Sequence, residues 1–568
     1  MSASRGQASE GRRARLGARG RAGVGVLLLL VGCAASLGRP EFEPFDLDAQ
    51  PAADAYPDVG AVVLLDRGEL AFSVDPELGT PLARLRRLRR VRVLRASGLD
   101  EATVEARIEP STRLVGFRVR ATWPNGEVSI LDDPSRGETE DGVPAARITV
   151  PDVRPGVVIE AVYDIWYTDP RFIPPWRFDD AHPTRRSEYA VVVPPGFEVD
   201  LRFSEDGRFV ERPPERFETR EGVRFSWSLA DLRARFGEPE MPSPELLAPR
   251  AHVLWRASSV GGAERTGFRT WDDVGRWLLG QMPNWSDVSE ATEAEAARVA
   301  GEVDDEERAL RLLEVVARDV SAPESPLPPT WRAELVHPET ALASGRADPT
   351  SKGLLLVALL RAIGLPAVPA LYAPRDVDTI LPDVPTVRAL RGVAAAVLRP
   401  GGPLFLNPNG WTVSARVPPP ELQGQRVVLL REEVAEVTRV PAGDPEDSRA
   451  ELVYTLRLDP RGDVFGELEG RFTGAEAAAL RARLLNAPPE RYTEEVADFL
   501  AARGASLPPA SVGIADLRVL RRPLLITGTI DLRGHLAAET GGEAFFPLER
   551  LLGRPVASPA EVRRSART

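Results

Sequence analysis

The sequence predicts an α+β multidomain protein with an N-terminal β-sandwich-like domain, a central α+β domain and a C-terminal β-rich domain. Its 568 residues are enough for about three or four domains. Apolar and polar residues alternate through much of the first and last parts, which is typical of strands with one buried face. The middle part instead contains an almost wholly apolar stretch at residues 354–363, which indicates a buried helix.

The composition excludes several classes of function. Apolar residues make up 43% and charged residues 27% of the chain, as in ordinary globular proteins. Without the first 32 residues, 66 basic and 83 acidic residues remain, a net charge of −17, whereas phosphate binding needs a clustered basic surface. The single cysteine and four scattered histidines show no metal-ligand spacing. We therefore expect no nucleic-acid partner, no metal and no cofactor.

The first 32 residues have the pattern of a signal peptide. Six arginines precede the apolar run Val24–Gly32, which is shorter than the ~20 residues that a membrane span needs. The run ends in Leu30-Val31-Gly32-Cys33, which resembles the lipobox of bacterial lipoproteins. The resemblance implies cleavage before Cys33 and a diacylglyceryl group on its sulfur. The alternative is an ordinary secretory signal with an incidental cysteine.

The resemblance to lipoproteins also implies a location. Ala34, and not aspartate, follows Cys33, which in that family favours export to the outer membrane. We expect a lipid-anchored protein of the cell envelope that faces the periplasm, because two or more acyl chains hold a protein stably on a membrane. Residues 33–57 are polar, acidic and proline-containing, and we predict that they form a tether.

Residues 58–232 are predicted to be a β domain. Asn125-Gly126 is a hairpin signal between alternating segments. Several ordered motifs resemble a bacterial β domain of unknown function that precedes a transglutaminase-like domain in its family; they are Asp58 to Leu65, Trp123-Pro124-Asn125-Gly126-Glu127-Val128, Arg154-Pro155-Gly156-Val157-Val158-Ile159-Glu160 and Pro183-Thr184-Arg185-Arg186-Ser187-Glu188.

One segment of this domain is strongly basic. Seven arginines lie between Arg84 and Arg95, and Val91 and Val93 alternate with two of them. One face of a strand here would therefore be basic. We expect a solvated sheet edge or face. Docking onto an acidic partner or an anionic envelope polymer is the alternative.

Residues 240–440 are predicted to be the central domain. Asp348 is a favourable helix N-cap, Pro349 suits the first helical position, and Gly364 ends the helix. A hairpin at residues 393–406 follows and ends at Asn407. These features resemble the transglutaminase-like, papain-related superfamily. Its active members carry Gly-Asp-Cys-Lys-Asp before an apolar helix, Asn-His at the start of one strand and Leu-Asp-Pro-Thr at the end of the next.

The resemblance implies that the catalytic residues have been lost. Active members use a thiolate at the helix N-terminus and a histidine beside it. Here the nucleophile position falls on Pro349, the histidine position on Arg391 or Gly392, and the third position on Asn407. Proline has neither a thiol nor an N–H for an oxyanion. We predict a pseudoenzyme with a degenerate groove at Asp348, Pro349, Gly392 and Asn407.

Three functions follow as hypotheses. The first is a non-catalytic envelope protein whose groove or β surfaces bind a peptide, protein or glycan. The second is a cysteine-independent peptidase or amide-transferring hydrolase that uses Ser351 or Thr350. Lys352, the only lysine of the chain, is adjacent to Ser351 in the helix and so points about 100° away from it. The third is a purely structural part of a larger complex.

Residues 451–552 are predicted to be the last domain. Leu452, Tyr454 and Leu456 form one face of a strand, and one short helix at residues 475–485 interrupts the strands. The region resembles the small β domain that follows the transglutaminase-like domain in the same family.

Overall fold

A computed structural model describes residues 40–544, except for residues 52, 110, 140–142, 237–242, 261, 282–286, 322–334, 375–377, 410–416, 420–421, 433, 459–462, 504–507, 533–538 and 541–542. Cys33, the predicted signal peptide and His535 lie outside these residues. Several sheets and fewer helices make up the described chain, which is multidomain and mostly β. Among these residues, no helix combines the length and apolar character that crossing a membrane requires.

The first domain is built from strands, with one short helix α1 (Pro244–Leu247) before its last hairpin. The strands are β1 (Ala61–Val74), β2 (Pro81–Val93), β3 (Thr103–Arg107), β4 (Thr112–Thr122), β5 (Val128–Leu131), β6 (Ser135–Glu138), β7 (Pro144–Thr149), β8 (Val158–Tyr167), β9 (Trp176–Arg177), β10 (Thr184–Val193), β11 (Phe197–Glu205), β12 (Arg208–Phe209), β13 (Glu215–Thr219), β14 (Gly222–Leu232), β15 (Arg250–Val260) and β16 (Ala263–Thr266).

These strands form three sheets that pack in layers. The largest has eight strands in the order β13-β14-β10-β1-β2-β8-β4-β5, with β1 and β10 parallel. A second sheet, β12-β11-β15-β16 with β9 beside β15, packs on it through an aromatic core in which Trp176 stacks on Tyr189 at 5.0 Å. A third sheet, β3-β7-β6, packs against β4 and β8. The strands β15 and β16 lie beyond residue 232, inside the range predicted for the central domain, but pairing with β11 places them in the first domain.

The basic segment is β2, an interior strand between β1 and β8. Four of its arginines pair with carboxylates of the same chain: Arg86 with Asp164 at 2.8 Å, Arg87 with Asp66 at 2.7 Å, Arg89 with Glu101 at 2.7 Å, and Arg90 with Glu160. The expectation of a solvated edge or face is therefore wrong. The sheet places acidic residues of neighbouring elements beside these four arginines, which sequence spacing does not reveal.

The described part of the predicted tether lies against this sheet. Phe45 and Leu47 pack on an apolar cluster that contains Val62 and Val158, and Phe42 packs on a second cluster that contains Leu88. Residues 40–51 therefore rest on the first domain where the sequence suggested a free linker.

The central domain packs helices on an antiparallel sheet. Its elements are α2 (Trp271–Gln281), α3 (Glu290–Ala300), α4 (Asp305–Asp319), α5 (Pro338–Ser344), α6 (Pro349–Ala362), β17 (Ala367–Tyr372), β18 (Gly392–Val397), β19 (Leu404–Leu406), β20 (Arg426–Arg431) and β21 (Val434–Arg439). The sheet order is β19-β18-β17-β20-β21. The predicted buried helix and hairpin are confirmed as α6 and as β18 with β19.

The last domain has a four-stranded sheet covered by two helices. Its elements are β22 (Ala450–Leu458), β23 (Val464–Phe472), α7 (Gly474–Asn486), α8 (Tyr492–Ala501), β24 (Ser511–Ala515) and β25 (Leu524–Leu532), followed by the short pair β26 (Glu539–Thr540) and β27 (Glu543–Ala544). The predicted helix is α7, whereas α8 was missed. Only Val496, Phe499 and Leu500 of α8 are buried, too few to give a clear helical period.

Arginines join the domains. The guanidinium of Arg388 in the central domain donates to both carboxylate oxygens of Glu109, at 2.7 and 2.9 Å, and to the carbonyl of Phe172 at 2.8 Å. Arg521 of the last domain pairs with Glu307 at 3.1 Å and with Glu314, both on α4. Each contact is partly buried, so the domains meet at specific points.

Candidate functional site

The site begins at the N-terminus of α6. Asp348 has extended backbone angles, and its Oδ1 accepts hydrogen bonds from the backbone N–H groups of Thr350 at 2.8 Å and Ser351 at 3.2 Å. Pro349 occupies the first helical position, where its missing N–H leaves no bond unmade. The carboxylate thus serves as a helix cap, at the position that precedes the thiol in active members of the superfamily that the sequence resembles.

Ser351 has its hydroxyl fully engaged. The residue is 0% exposed, and its Oγ donates to Asp348 Oδ2 and accepts from the backbone N–H of Val336 at 2.9 Å. Thr350 is 2% exposed. A nucleophilic hydroxyl needs a base for its proton and access to a substrate. Neither hydroxyl is accessible in this structure, and the proton of Ser351 is held by a carboxylate that also caps the helix.

Lys352 points toward α4. Its Nζ donates to the carbonyl of Ala317, in the last turn of α4, at 3.2 Å. Burial lowers the pKa of the amine to about 8, because a charged ammonium is poorly solvated there. The amine therefore contacts a helix C-terminus, and Ser351 contacts Asp348, so these neighbouring side chains have separate partners.

The start of β18 provides the position that the resemblance assigns to the histidine. Gly353 of α6 lies so close to the carbonyl of Val393 that a Cβ would collide with it, which brings α6 directly onto β18. Gly392 pairs with Tyr372 across the sheet, and a Cβ at Gly392 would lie 2.5 Å from the phenol oxygen and 2.6 Å from Cζ of Tyr372. The tyrosine ring therefore fills the space that a side chain at this position would need.

Arg391, the other candidate for the histidine position, is occupied locally. Its Nη1 donates to the carbonyls of Leu390, at 3.2 Å, and of Arg388. Burial lowers the pKa of the guanidinium. These hydrogen bonds to backbone carbonyls keep the guanidinium group of Arg391 at the turn before β18.

Asn407 and Asn409 close the site from the other side. Asn407 is 1% exposed, and its Oδ1 accepts from the backbone N–H of Asn409 at 3.1 Å. Asn409 Nδ2 donates to the carbonyl of Pro349 at 2.9 Å. The structure therefore brings the start of α6, the start of β18 and the end of β19 together, as the resemblance implies. The sequence did not indicate the parts played by Tyr372 and Asn409.

The described histidines have structural partners. His182 lies 3.4 Å from Glu101, whose hydrogen bond raises the pKa of the imidazole. His252 is buried, with its Nε2 2.8 Å from Ser204 Oγ, and burial lowers the pKa of the imidazole to about 3. His337 caps α5 by accepting from the N–H of Glu339 at 3.3 Å. Within the described ranges, no group of three or more His, Cys, Asp or Glu could hold a metal ion.

Two described cavities lie in the first domain, away from α6. One of about 340 Å³ is lined by charged and polar side chains that include Arg87, Arg89, Glu101 and Tyr163. The other, of about 280 Å³, lies beside Asp179 and includes arginines of the segment after β14. The pairing of these arginines with carboxylates leaves both cavities of mixed charge.

Comparison with known proteins supports the fold. Residues 86–236 match the model of a domain of unknown function, DUF3857, which agrees with the resemblance of the first domain. The crystal structure of a candidate protease from Parabacteroides distasonis aligns with 83% of this chain and 93% of its own, at 12% identity and a TM-score of 0.50. At this identity the likeness concerns the fold alone.

Other solved structures match less of the chain. A mutant of a two-domain M1 zinc metallopeptidase bound to L-tryptophan matches 46% of this chain and 55% of its own at 14% identity, with a TM-score of 0.19. Leukotriene A4 hydrolase from Saccharomyces cerevisiae matches 45% of this chain and 39% of its own at 11% identity, with a TM-score of 0.20. These scores carry no argument about fold or function. None of the curated proteins matches the sequence.

Proposed function

We propose that this protein is a lipid-anchored, non-catalytic scaffold of the bacterial cell envelope. One observation carries the proposal: the nucleophile position holds Pro349, and the ring of Tyr372 occupies the side of Gly392 where a histidine side chain would stand. Removing both the nucleophile and the base removes the pair that activates a thiol or hydroxyl. The cap of α6 and the close contact between α6 and β18 are retained, so we infer that these residues stabilise the domain.

The anchor is proposed from the N-terminal sequence. The only cysteine of the chain lies at the end of a basic and then apolar leader, in Leu30-Val31-Gly32-Cys33. Replacement of Cys33 by serine is expected to move the protein from the membrane fraction to the soluble fraction. An unchanged membrane fraction in Cys33→Ser would contradict the anchor.

Scaffolding accounts for the site better than binding in the groove. Pro349, Gly392 and Asn407 are all buried, and Tyr372 and Asn409 pack between the elements that carry them. Peptide or glycan binding would need open space at these residues. Partner proteins are therefore expected to contact the β domains.

Cross-linking in living cells tests this function. A photoreactive residue at exposed Ile130 of the edge strand β5 is expected to trap a protein neighbour. The same residue placed at buried Leu356 of α6 is the matched control. Recovery of small ligands alone, with no protein neighbour from exposed positions of either β domain, would contradict scaffolding.

A hydrolase that uses Ser351 is the rival function. It is favoured by the hydrogen bond from Ser351 to Asp348 and by the description of the structural neighbour as a candidate protease. Val336 contacts Ser351 and directly precedes His337. Of the described histidines, His337 is the nearest to Ser351 along the chain. The rival therefore predicts covalent labelling of Ser351 that depends on His337.

A further inference from the structure

Residues 40–51, here called the docking strap, carry charge opposite to the surface beneath them. The strap contains four acidic residues and no basic one. Its contact surface on the large sheet is formed by arginines of β1, β2 and β4, namely Arg67, Arg90, Arg92, Arg118 and Arg120. This charge difference favours association along the whole length of the strap.

Two phenylalanines of the strap bind to guanidinium groups. The ring of Phe42 lies 5.1 Å from the guanidinium carbon of Arg118 and 4.8 Å from that of Arg120. The ring of Phe45 lies 4.5 Å from Arg90 and 5.5 Å from Arg120. Such stacking is favourable on its own, because the positive guanidinium is attracted to the negative face of the ring. Both rings also rest on buried apolar side chains of the sheet.

The arginines also recognise the strap's backbone. The carbonyl of Glu43 accepts from Arg120 at 2.7 Å and from Arg90 at 3.2 Å, and the carbonyl of Gln50 accepts from Arg92 at 2.9 Å. Arg118 donates to the carbonyl of Pro40. Guanidinium donors spaced along two strands thus contact the strap's backbone from Pro40 to Gln50, while the phenylalanines supply selectivity.

A buried carboxylate fixes the geometry of the surface. Glu160 of β8 is 1% exposed and pairs with Arg90 and, at 2.8 Å, with Arg120. The same two guanidiniums contact the strap. Because the ion pairs with Glu160 fix the two guanidinium groups, their remaining N–H groups and their flat faces are oriented toward the strap before it binds. This preorganisation reduces the entropy cost of binding.

We propose that this arginine-lined surface is a peptide-docking site for an acidic, phenylalanine-containing segment, and that the strap is its occupant in cis. Docking shortens the connection to the membrane. Six residues separate Cys33 from Pro40, so the seven Cα–Cα steps between them reach about 25 Å, whereas release up to Ala53 extends this reach to about 70 Å. This consequence for reach rests on the proposed anchor, but the docking site does not.

Limited proteolysis tests docking independently of the anchor. The full mature chain with Cys33→Ser is digested with a glutamate-specific protease, and cleavage after Glu41 is timed by mass spectrometry, because the bond after Glu43 precedes Pro44 and resists the protease. Replacing Phe42 and Phe45 by alanine is expected to speed this cleavage at least tenfold. Replacing Leu78, an apolar residue that is 72% exposed outside the strap, is the matched control and should leave the rate unchanged.

Binding of the strap as a free peptide supplies a second readout. A synthetic peptide of residues 40–51 is expected to bind the Phe42→Ala, Phe45→Ala chain at least tenfold more tightly than the same peptide with both phenylalanines replaced. Equal cleavage rates together with no peptide preference would overturn the docking site. If cleavage is slow, as docking predicts, but Cys33 of the wild-type chain carries no lipid, only the proposed anchor is overturned.

Discussion

Substituting Gly392 by alanine tests whether Tyr372 fills the histidine position. The added Cβ would lie 2.5 Å from the phenol oxygen and 2.6 Å from Cζ of Tyr372, so the ring or the strand must move. Overpacking of this kind costs about 1–3 kcal/mol. Alanine in a strand interior gains roughly 0.5–1 kcal/mol over glycine. We expect Gly392→Ala to destabilise the central domain by about 0.5–2 kcal/mol.

A second substitution isolates the contact. In a Tyr372→Val background the ring is gone while a strand-favouring residue remains. There Gly392→Ala should be neutral or stabilising by roughly 0.5–1 kcal/mol, because only the conformational gain is left. The coupling between the two positions is then about 1–3 kcal/mol. Tyr372→Phe is the matched control, since Cζ still lies within 2.6 Å of the added Cβ and little strain is relieved.

Amide hydrogen exchange in the full chain is the assay. Global unfolding of a multidomain protein does not report on one domain, whereas exchange of peptides from β17 and β18 reports on their local opening. Faster exchange in Gly392→Ala, reversed in the Tyr372→Val background, is the expected result. Equal effects of Gly392→Ala in both backgrounds would refute the assignment of the space to the tyrosine ring.

Three further predictions concern buried charge. The pKa of His252 is about 3 in the folded state, so its contribution to stability is present above the ordinary pKa near 6.5 and is lost as pH falls. Amide exchange of peptides from β15, the strand that contains His252, should show wild type losing roughly 3 kcal/mol of local stability relative to His252→Gln between pH 7 and 4, and parallel pH profiles would contradict this. The pKa of Lys352 is also lowered, to about 8, so charging the amine opposes folding below that pH. From pH 8 to 10, the stability of wild type should rise by roughly 2 kcal/mol relative to that of Lys352→Met. A fall in relative stability over this range would contradict the prediction. Arg388→Ala leaves Glu109 without its bidentate partner and should cost about 3–5 kcal/mol at the contact between the first two domains. Amide hydrogen exchange at residues 384–391 should become faster as a result. Glu339→Ala, at an exposed helix start, is the control.

Local features of the central domain could be predicted from sequence because they depend on neighbours in the chain. Asp348, Pro349 and Gly364 mark the ends of α6 through capping and backbone preferences that act within a few residues. The apolar run between them required burial on every side, and the structure provides it. The same local rules gave the β18–β19 hairpin.

Long-range partners could not be predicted in this way. Tyr372 is 20 residues from Gly392, and Asn409 is 60 residues from Pro349, so only the folded domain brings each pair together. The arginines of β2 were misjudged for the same reason, since the acids that neutralise them come from other elements, among them β1 and β8. Strand spacing reports which face a side chain occupies and not what stands opposite it.

The most direct test of the central claim is covalent labelling of the purified mature protein with a serine-directed fluorophosphonate probe, read by peptide mass spectrometry. We predict no label on Ser351 or Thr350, because Ser351 is 0% exposed and its hydroxyl is already hydrogen-bonded to Asp348 and Val336. Label on Ser351 that disappears in both Ser351→Ala and His337→Ala would contradict it and establish the hydrolase.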